Sequence, residues 1–318
     1  MRDLRKDLRE YIDLRRALGY KLRKHEPRLT EFIGFLKAQG TDRITTKLAI
    51  AWATESSKGH KHSCCERLRI VRSFARHMSS MDARTEIPST GMMRQPETAL
   101  RPYIYTSEEI GRLMAAALRF FSPRGLRCHT YYHLVGLLAT IGMRSGEAVR
   151  LAGSDVNLAE GLLTIRETKF GKSRIIPLHP TTVEALTAYK VRRNAFLKRA
   201  EVPTFFINER RGPISSPQKS FRDIRCAAGL EQIGNGIHPR MHDLRHTFAV
   251  QTLLAWYRSG ADVERNLPIL STFLGHSHIE HTYWYLTSTP ERAKAALYAT
   301  YSHDRTGFKS LGPRRGQR

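Results

Sequence analysis

The sequence predicts a mainly α-helical fold with a small antiparallel sheet (α+β), divided between a helical domain and a mixed domain. Apolar residues recur at helical spacing through residues 1–80, and this periodicity is lost over 81–105, where prolines and a glycine cluster. Three short β-like runs then occur within otherwise helical sequence. We therefore predict a helical domain at 1–80, a linker at 81–105, a mixed domain at 106–302 and a basic flexible tail at 303–318.

The first domain is predicted to contain four helices. Apolar residues spaced three and four apart mark the first two, which end at Gly19 and Gly40, and Thr45-Thr46 opens the third. The fourth has an apolar stripe interleaved with arginines, which are candidates for DNA phosphate contacts: Arg67, Arg69, Arg72 and Arg76. A basic helix of this kind is equally typical of a solvated surface helix, so both interpretations stay open.

The second domain begins with a capping-box pattern, in which Thr106 and Glu109 can satisfy each other's backbone amides. Turn residues at Glu160-Gly161 and Phe170-Gly171 separate the three predicted strands. The predicted helices lie at 107–119, 129–141, 145–152, 180–199, 216–228, 242–258, 263–275 and 290–301, and the strands at 155–159, 162–168 and 174–178.

The charge of the chain indicates a polyanionic partner. It contains 53 Lys and Arg against 29 Asp and Glu, a formal net charge of +24, and the excess is not confined to one tail. The four cysteines are too few for a disulfide framework in a chain of this length. We find neither a signal peptide nor an apolar run long enough for a membrane span, so we expect a cytoplasmic protein associated with the bacterial nucleoid.

A first candidate phosphate site lies at the junction of two predicted helices, from Gly142 to Glu147. Ser145 can cap the second helix, and Glu147 suits its positive N-terminal turn. Arg144 would point its guanidinium beside free backbone N–H groups, a position suited to phosphate. Considered alone, Arg144 and Glu147 are more often a surface ion pair.

Further candidates lie in the hairpin between the second and third strands. A basic hairpin tip can enter a DNA groove and place the ammonium of Lys169 near a backbone oxygen, with Lys172 and Arg174 as further DNA contacts. The alternative is that lysines protect the edge of the sheet.

The sharpest pattern is His242-x-x-Arg245. The two side chains share one face of a helix, so a guanidinium for phosphate lies beside a group that titrates near neutral pH. Leu274-Gly275-His276 closes a later helix, and Tyr285 follows nine residues after His276. A tyrosine in an aromatic helix is normally a core residue, and it becomes a nucleophile only if cations lower the pKa of its phenol and orient it.

These elements occur in a fixed order along the chain. They are Arg144 with Glu147, Lys169 in a hairpin, His242 with Arg245, the Leu274-Gly275-His276 run, and Tyr285. The ordered set resembles the tyrosine recombinase (phage integrase) family over essentially the whole chain, most strongly over 128–178 and 238–286. The resemblance implies a helical SAM-like core-binding domain and a catalytic domain that form a C-shaped clamp around DNA.

The resemblance also implies a role for each residue. Arg144 and Arg245 would bind the non-bridging oxygens of the scissile phosphate and stabilise its pentacoordinate state. His242 would assist the proton of the nucleophile. His276 would orient the phosphate, and Glu147 would hold the network together.

The nucleophile and the general acid each have rivals. Tyr285 would attack to give a 3′-phosphotyrosine and a free 5′-hydroxyl, and the family spacing favours it over Tyr283 and Tyr301. Lys169 would protonate the leaving 5′-oxygen, and the family pattern favours it over Lys172.

The activity implied by the resemblance is site-specific DNA recombination, as integration or transposition, by an enzyme that a mobile element encodes. We expect no cofactor: the phosphotyrosine keeps the bond energy, so no ATP is needed, and arginines and lysine supply the charge that a metal would supply. The implied partners are double-stranded DNA and a homo-tetramer on two sites, with or without partner recombinases, and no membrane. The alternatives are supercoil relaxation of the type IB topoisomerase kind and a non-enzymatic DNA-binding accessory factor.

Overall fold

A computed structural model gives the fold as two compact units, Met1–Leu100 and Arg101–Arg318. The residues that it describes are 3–55, 61–93, 102–166, 173–231, 238–276 and 278–287. The division falls inside the segment 81–105. None of the helices in the described ranges combines the length and the apolar character that crossing a bilayer would require.

The first unit contains four helices, as predicted. They are α1 (Leu4–Ala17), α2 (His25–Ala38), α3 (Thr46–Glu55) and α4 (Lys61–Met78). Asp3 caps α1 by accepting the backbone N–H groups of Arg5 and Lys6. The apolar stripes meet in one core, where the ring of Trp52 contacts that of Phe32 at a centroid distance of 5.1 Å.

Residues 81–93, which we predicted as part of a linker, pack on this first unit. Glu86 donates its backbone N–H to the carbonyl of Ile44, and its carboxylate accepts the N–H of Thr46 at the start of α3. Met93 packs against the core of the unit, and its carbonyl accepts from the thiol of Cys65. This stretch is therefore tied to the helices that precede it.

The second unit is helical around a small sheet. Its elements are α5 (Ser107–Leu118), α6 (Arg127–Ile141), α7 (Ser145–Arg150), β1 (Val156–Asn157), β2 (Leu162–Ile165), β3 (Arg174–Pro177), α8 (Pro180–Leu197), α9 (Pro217–Ala227), α10 (Asp243–Arg258), α11 (Val263–Leu274) and α12 (Glu280–Thr287). The capping box at Thr106 is confirmed. The predicted last helix at 290–301 and the tail at 303–318 lie outside the described residues.

The sheet is antiparallel, with strand order β1-β2-β3. Leu163 and Ile176 are paired across β2 and β3 and are both fully buried, so this face of the sheet joins the main core. The strands are shorter than predicted, because Asp155 belongs to a 3₁₀ turn and β2 ends at Ile165. The predicted class, mainly α with a small antiparallel sheet, is confirmed.

A second apolar cluster lies beneath α10, α11 and α12. It includes Leu253, Leu267, Leu274 and the ring of Tyr285, which is 3% exposed. A hydrogen bond also anchors the first turn of α10, where the hydroxyl of Thr247 accepts the backbone N–H of Tyr105 at 2.9 Å. These contacts fix the positions of α10, α11 and α12, on or beside which His242, Arg245, His276 and Tyr285 lie.

Candidate active site

Three arginines converge on the C-terminal end of α11. Each donates a hydrogen bond to one of three successive backbone carbonyls. The bonds run from Arg174 Nε to Phe273 O at 2.8 Å, from Arg245 Nη2 to Leu274 O at 2.8 Å, and from Arg144 Nη2 to Gly275 O at 2.9 Å. The last carbonyls of a helix lack intrahelical partners and form the negative end of its dipole, so cations are stabilised there.

Glu147 links two of these arginines. Its carboxylate accepts Nη1 and the backbone N–H of Arg144, at 2.8 and 3.0 Å, and Nη2 of Arg174 at 2.8 Å. Burial alone would raise the pKa of Glu147, but the hydrogen bonds and charges of Arg174 and Arg144 outweigh it and hold the pKa below its ordinary value. Since the three guanidinium groups of the cluster lie near this one carboxylate, which pairs with two of them, the cluster keeps an excess of positive charge.

The predicted capping role of Ser145 is wrong. Ser145 is the first helical residue of α7, and Arg144 occupies the N-cap position. The side chain of Glu147 reaches back to the N–H of Arg144 instead. The same contact that begins the helix therefore also orients the arginine.

Two glycines in the left-handed conformation bring these groups together. Gly142 ends α6 with φ 58°, and its carbonyl accepts Nη1 of Arg245 at 2.9 Å. Gly275 ends α11 with φ 70°. A Cβ at position 142 would lie 2.4 Å from the ring of Phe248, so a larger residue would displace α10 from this junction.

Arg245 is the most enclosed of the candidate residues, at 2% exposed. Burial lowers the pKa of its guanidinium to about 10, which leaves it charged at neutral pH. Its bonds to Gly142 and Leu274 use two of its five N–H donors. The remaining donors are available for the nearby Tyr285 hydroxyl and for a phosphate oxygen.

His276 lies directly after the C-terminal turn of α11. Its Nδ1 is 2.8 Å from the hydroxyl of Thr282, a fully buried residue of α12. Burial, followed by the charges of Arg245 and Arg144, lowers the pKa of His276 to about 3. The ring is therefore neutral, and it lies almost parallel to the ring of Tyr285 at a centroid distance of 6.0 Å.

The phenol of Tyr285 is protonated in this arrangement. Burial raises its pKa above the ordinary value, although the charge and hydrogen bond of Arg245, and the charge of Arg144, act in the opposite direction. We expected nearby cations to lower this pKa; the cations are present, but desolvation has the larger effect. Attack by this oxygen therefore requires a group that accepts its proton.

Two histidines lie at the start of α10: His242 directly precedes the helix, and His246 lies in its first turn. Burial, and then the charge of Arg245, lower the pKa of His242, so that its ring is neutral near pH 7. The ring of His246 lies 4.9 Å from that of His242 and 5.5 Å from that of Tyr285. Burial lowers the pKa of His246 to about 3, and its buried Nδ1 makes no hydrogen bond within the described part of the chain.

Five of the predicted catalytic residues and the supporting Glu147 are thus described, and contacts connect them into one cluster. Lys169 and Lys172 lie outside the described residues. Of the rival tyrosines, Tyr283 is 45% exposed, and Tyr301 lies outside the described residues. The predicted DNA contact Arg174 is enclosed within the cluster, its side chain only 8% exposed.

The arginines of α4 fall into two pairs. Arg69 and Arg76 are exposed. Arg67 lies over the ring of Trp52 and pairs with Glu31 at 3.1 Å. All four stay predicted phosphate contacts, and the exposed pair is the better placed for that role.

Arg72 makes contacts of another kind. Its Nε and Nη2 donate to the carbonyls of Pro88 and Ser89 at 2.6 and 2.8 Å, which fastens the segment after α4 to the helix. A structural contribution of Arg72 to the first unit follows from these bonds.

Sequence reasoning missed Thr282, His246 and the enclosed position of Arg174. Thr282 lies three residues before Tyr285 on α12, so helical spacing could have placed both on one side of the helix. His246 follows Arg245 directly, and its place beside Tyr285 depends on the packing of α12 on α10. The acceptor carbonyl of Arg174 is 99 residues away in the chain, and no local pattern indicates it.

The arrangement is suited to a reaction at a phosphodiester. Guanidinium groups with unused donors surround a phenol, and a preorganised positive cluster stabilises the negative charge that develops on a pentacoordinate phosphorus. Neutral imidazoles nearby can accept or donate a proton.

Comparisons with known proteins agree with this chemistry. The pattern of the phage integrase family matches residues 104–292. A putative integrase/recombinase, y4rB, of Sinorhizobium fredii is 43% identical over 303 residues, which cover 93% of this chain and 96% of the relative.

Two solved structures share the fold. The Tn1549 transposon integrase in complex with transposon right-end DNA has a TM-score of 0.64 at 14% identity, and covers 93% of this chain and 99% of that one. A lambda integrase tetramer bound to a Holliday junction has a TM-score of 0.59 at 21% identity, and covers 89% of this chain and 76% of that one.

Proposed function

This chain belongs to the phage integrase family of tyrosine recombinases, and from that premise we propose that Tyr285 attacks a DNA phosphodiester and holds the cleaved strand as a 3′-phosphotyrosine. The protein is an enzyme that cleaves and rejoins DNA in site-specific recombination. The observation that carries the choice of nucleophile is the buried phenol of Tyr285, which lies beside the guanidinium of Arg245 and is stacked against His276.

In the proposed reaction, the Tyr285 oxygen forms a bond to phosphorus while the bond to the 5′-oxygen breaks. Arg144 and Arg245 bind the non-bridging oxygens with their unused N–H donors and balance the charge of the pentacoordinate state. The phenol proton passes to His242, which is neutral because burial and Arg245 lower its pKa. Lys169 protonates the departing 5′-oxygen.

Rejoining reverses these steps. The free 5′-hydroxyl of a strand attacks the phosphotyrosine, and the proton returns to Tyr285. Because the covalent intermediate retains the energy of the phosphodiester, the reaction as proposed consumes no ATP.

The partners follow from the same premise. The protein binds DNA and forms oligomers, and we propose a homo-tetramer that assembles on two double-stranded sites. The charge of +24 supports binding to DNA. We further propose that a mobile element encodes the protein and that both units clamp the duplex. Partner recombinases and a location at the nucleoid are also predictions.

The test is covalent trapping on a suicide substrate, a duplex whose nick lets the short cleaved fragment diffuse away. Incubation should give a protein–DNA adduct that survives denaturing electrophoresis. Y285F should abolish the adduct, while Y283F, the matched control two residues away, should retain it. An adduct formed by Y285F would overturn the assignment.

Relaxation of supercoiled DNA by a monomer, without preference for any site, would indicate the type IB topoisomerase alternative. Binding without any adduct from the wild-type protein would indicate an accessory factor.

A further inference from the structure

Arg174 differs from the two arginines assigned to the phosphate, because all three nitrogens of its guanidinium donate hydrogen bonds to groups that position the cluster. Nε donates to the carbonyl of Phe273 at 2.8 Å, while Nη1 and Nη2 donate to the two carboxylate oxygens of Glu147 at 3.3 and 2.8 Å. Its side chain is 8% exposed, against 31% for Arg144. A guanidinium whose three nitrogens all donate within the chain is poorly placed to receive a phosphate of a DNA duplex.

The contacts of Arg174 join three elements of the second unit. Arg174 is the first residue of β3, Glu147 lies in the first turn of α7, and Phe273 is in the last turn of α11. One side chain therefore connects the sheet to the helix start that orients Arg144 and to the helix end that precedes His276. The planar guanidinium suits this task because its donors have a fixed relative geometry.

Gly275 shows how closely this guanidinium approaches the turn before His276. A Cβ at position 275 would lie 2.5 Å from Nη1 of Arg174 and 2.9 Å from its Cζ. The left-handed φ of 70° already favours glycine there. The space taken by Arg174 is a second, independent reason for glycine at this position.

We infer that Arg174 is a positioning residue, which holds Glu147 and the C-terminal end of α11 so that Arg144 and His276 face the scissile phosphate. The inference rests on the proposed recombinase function, and it replaces the DNA contact predicted for Arg174. The residue acts through Glu147 and the helix end, without touching DNA. Lysine cannot substitute for it, because one ammonium cannot reach the carbonyl and both carboxylate oxygens in a single plane.

The experiment compares R174K with R193K at saturating protein in single-turnover cleavage of the suicide substrate. Arg193 is a matched control, because it also donates to two backbone carbonyls, those of Val202 and Thr204, and contacts none of the cluster residues. We expect R174K to slow adduct formation by about 10- to 100-fold, by analogy with the loss of residues that orient the ligands of a metal site. R193K should cleave at the wild-type rate.

DNA affinity separates positioning from phosphate contact. If Arg174 acts as inferred, R174K and R174Q bind the duplex with wild-type affinity, and the slope of log affinity against log salt concentration is unchanged. If Arg174 binds a phosphate, R174Q reduces that slope by about 0.9 and weakens binding. A reduced slope, or an R174K that cleaves at the wild-type rate, would overturn the inference.

A double-mutant cycle tests the route through Glu147. If Arg174 acts through that carboxylate, R174K combined with E147Q slows cleavage by clearly less than the product of the two single effects. If the effects of R174K and E147Q on the cleavage rate multiply, Arg174 does not act through Glu147. R174K retains a cation of similar length, so it serves as the folded variant should R174Q lose its thermal transition.

The wild-type protein in the same assay distinguishes failure of the proposed function from failure of the positioning role of Arg174. Absence of a Tyr285 adduct from the wild type would count against the proposed function. A wild-type adduct together with an unaffected R174K would count against positioning alone.

Discussion

Replacing Thr282 by valine removes one hydroxyl from the centre of the cluster and keeps the side-chain shape. In the wild type this hydroxyl lies 2.8 Å from Nδ1 of His276. Because the lowered pKa, about 3, keeps the ring of His276 neutral, only one of its nitrogens carries a proton. A hydroxyl that donates to Nδ1 places the proton on Nε2, where it can be donated to a phosphate oxygen.

The magnitude follows from the burial of this pair. Thr282 is fully buried, and an unsatisfied buried polar group costs about 1–3 kcal/mol. If that cost falls on the transition state, adduct formation slows by about 5- to 140-fold, since about 1.4 kcal/mol corresponds to a factor of ten. T282S keeps the hydroxyl and should remain close to the wild-type rate.

Single-turnover cleavage of a nicked substrate measures the rate, and ¹⁵N NMR of the His276 ring reports which nitrogen carries the proton. The wild type should show the Nε2–H tautomer, and T282V should show a mixture of both. A T282V protein with the wild-type rate, or a wild-type ring protonated at Nδ1, would show that the Thr282 hydroxyl does not set the tautomer of His276 for cleavage.

Three further predictions concern charge and proton transfer. The cleavage rate should fall as the pH drops through the pKa of His242, which lies below 6.5 because of burial and the charge of Arg245. In H242Q this decrease at acidic pH should disappear from the pH–rate profile, and its persistence would assign it to another group. In the folded protein His246 stays neutral down to about pH 3, so between about pH 3 and 6.5 the unfolded state binds more protons and the free energy of unfolding falls as the pH drops. Denaturant titrations should show a smaller loss of unfolding free energy over this range in H246F, and an equal loss would contradict the prediction. R69Q and R76Q should each lower the slope of log DNA affinity against log salt concentration by about 0.9, whereas R72Q should mainly lower the midpoint of thermal unfolding. Equal losses of DNA affinity in all three variants would contradict these separate roles.

The helices could be predicted because their signals are local. Apolar spacing marks the four helices of the first unit, and the capping box at Thr106 fixes the start of α5. Gly142 ends α6 in the left-handed conformation that glycine adopts most readily. The strand bounds were less accurate, because a three-stranded sheet is defined by pairing between distant residues.

The order of the candidate residues in the sequence identified the cluster, but the contacts within it depend on tertiary structure. The bond of Arg174 to Phe273 spans 99 residues, and alternation along β3 alone does not indicate that the side chain is enclosed. The capping of α7 by Ser145 was wrong because Glu147 accepts the N–H of Arg144. The pKa of Tyr285 could not be derived from its cationic neighbours, because the opposing effect of burial is larger.

Tyr285 should be the residue that forms the covalent bond to DNA. The most direct test is tandem mass spectrometry of the trapped complex after nuclease and trypsin digestion. Trypsin should release the peptide 266–292, which contains both Tyr283 and Tyr285. We predict a nucleotide linked through its 3′-phosphate to Tyr285. A nucleotide on Tyr283, or a 5′ linkage, would show that Tyr285 does not form the proposed 3′-phosphotyrosine.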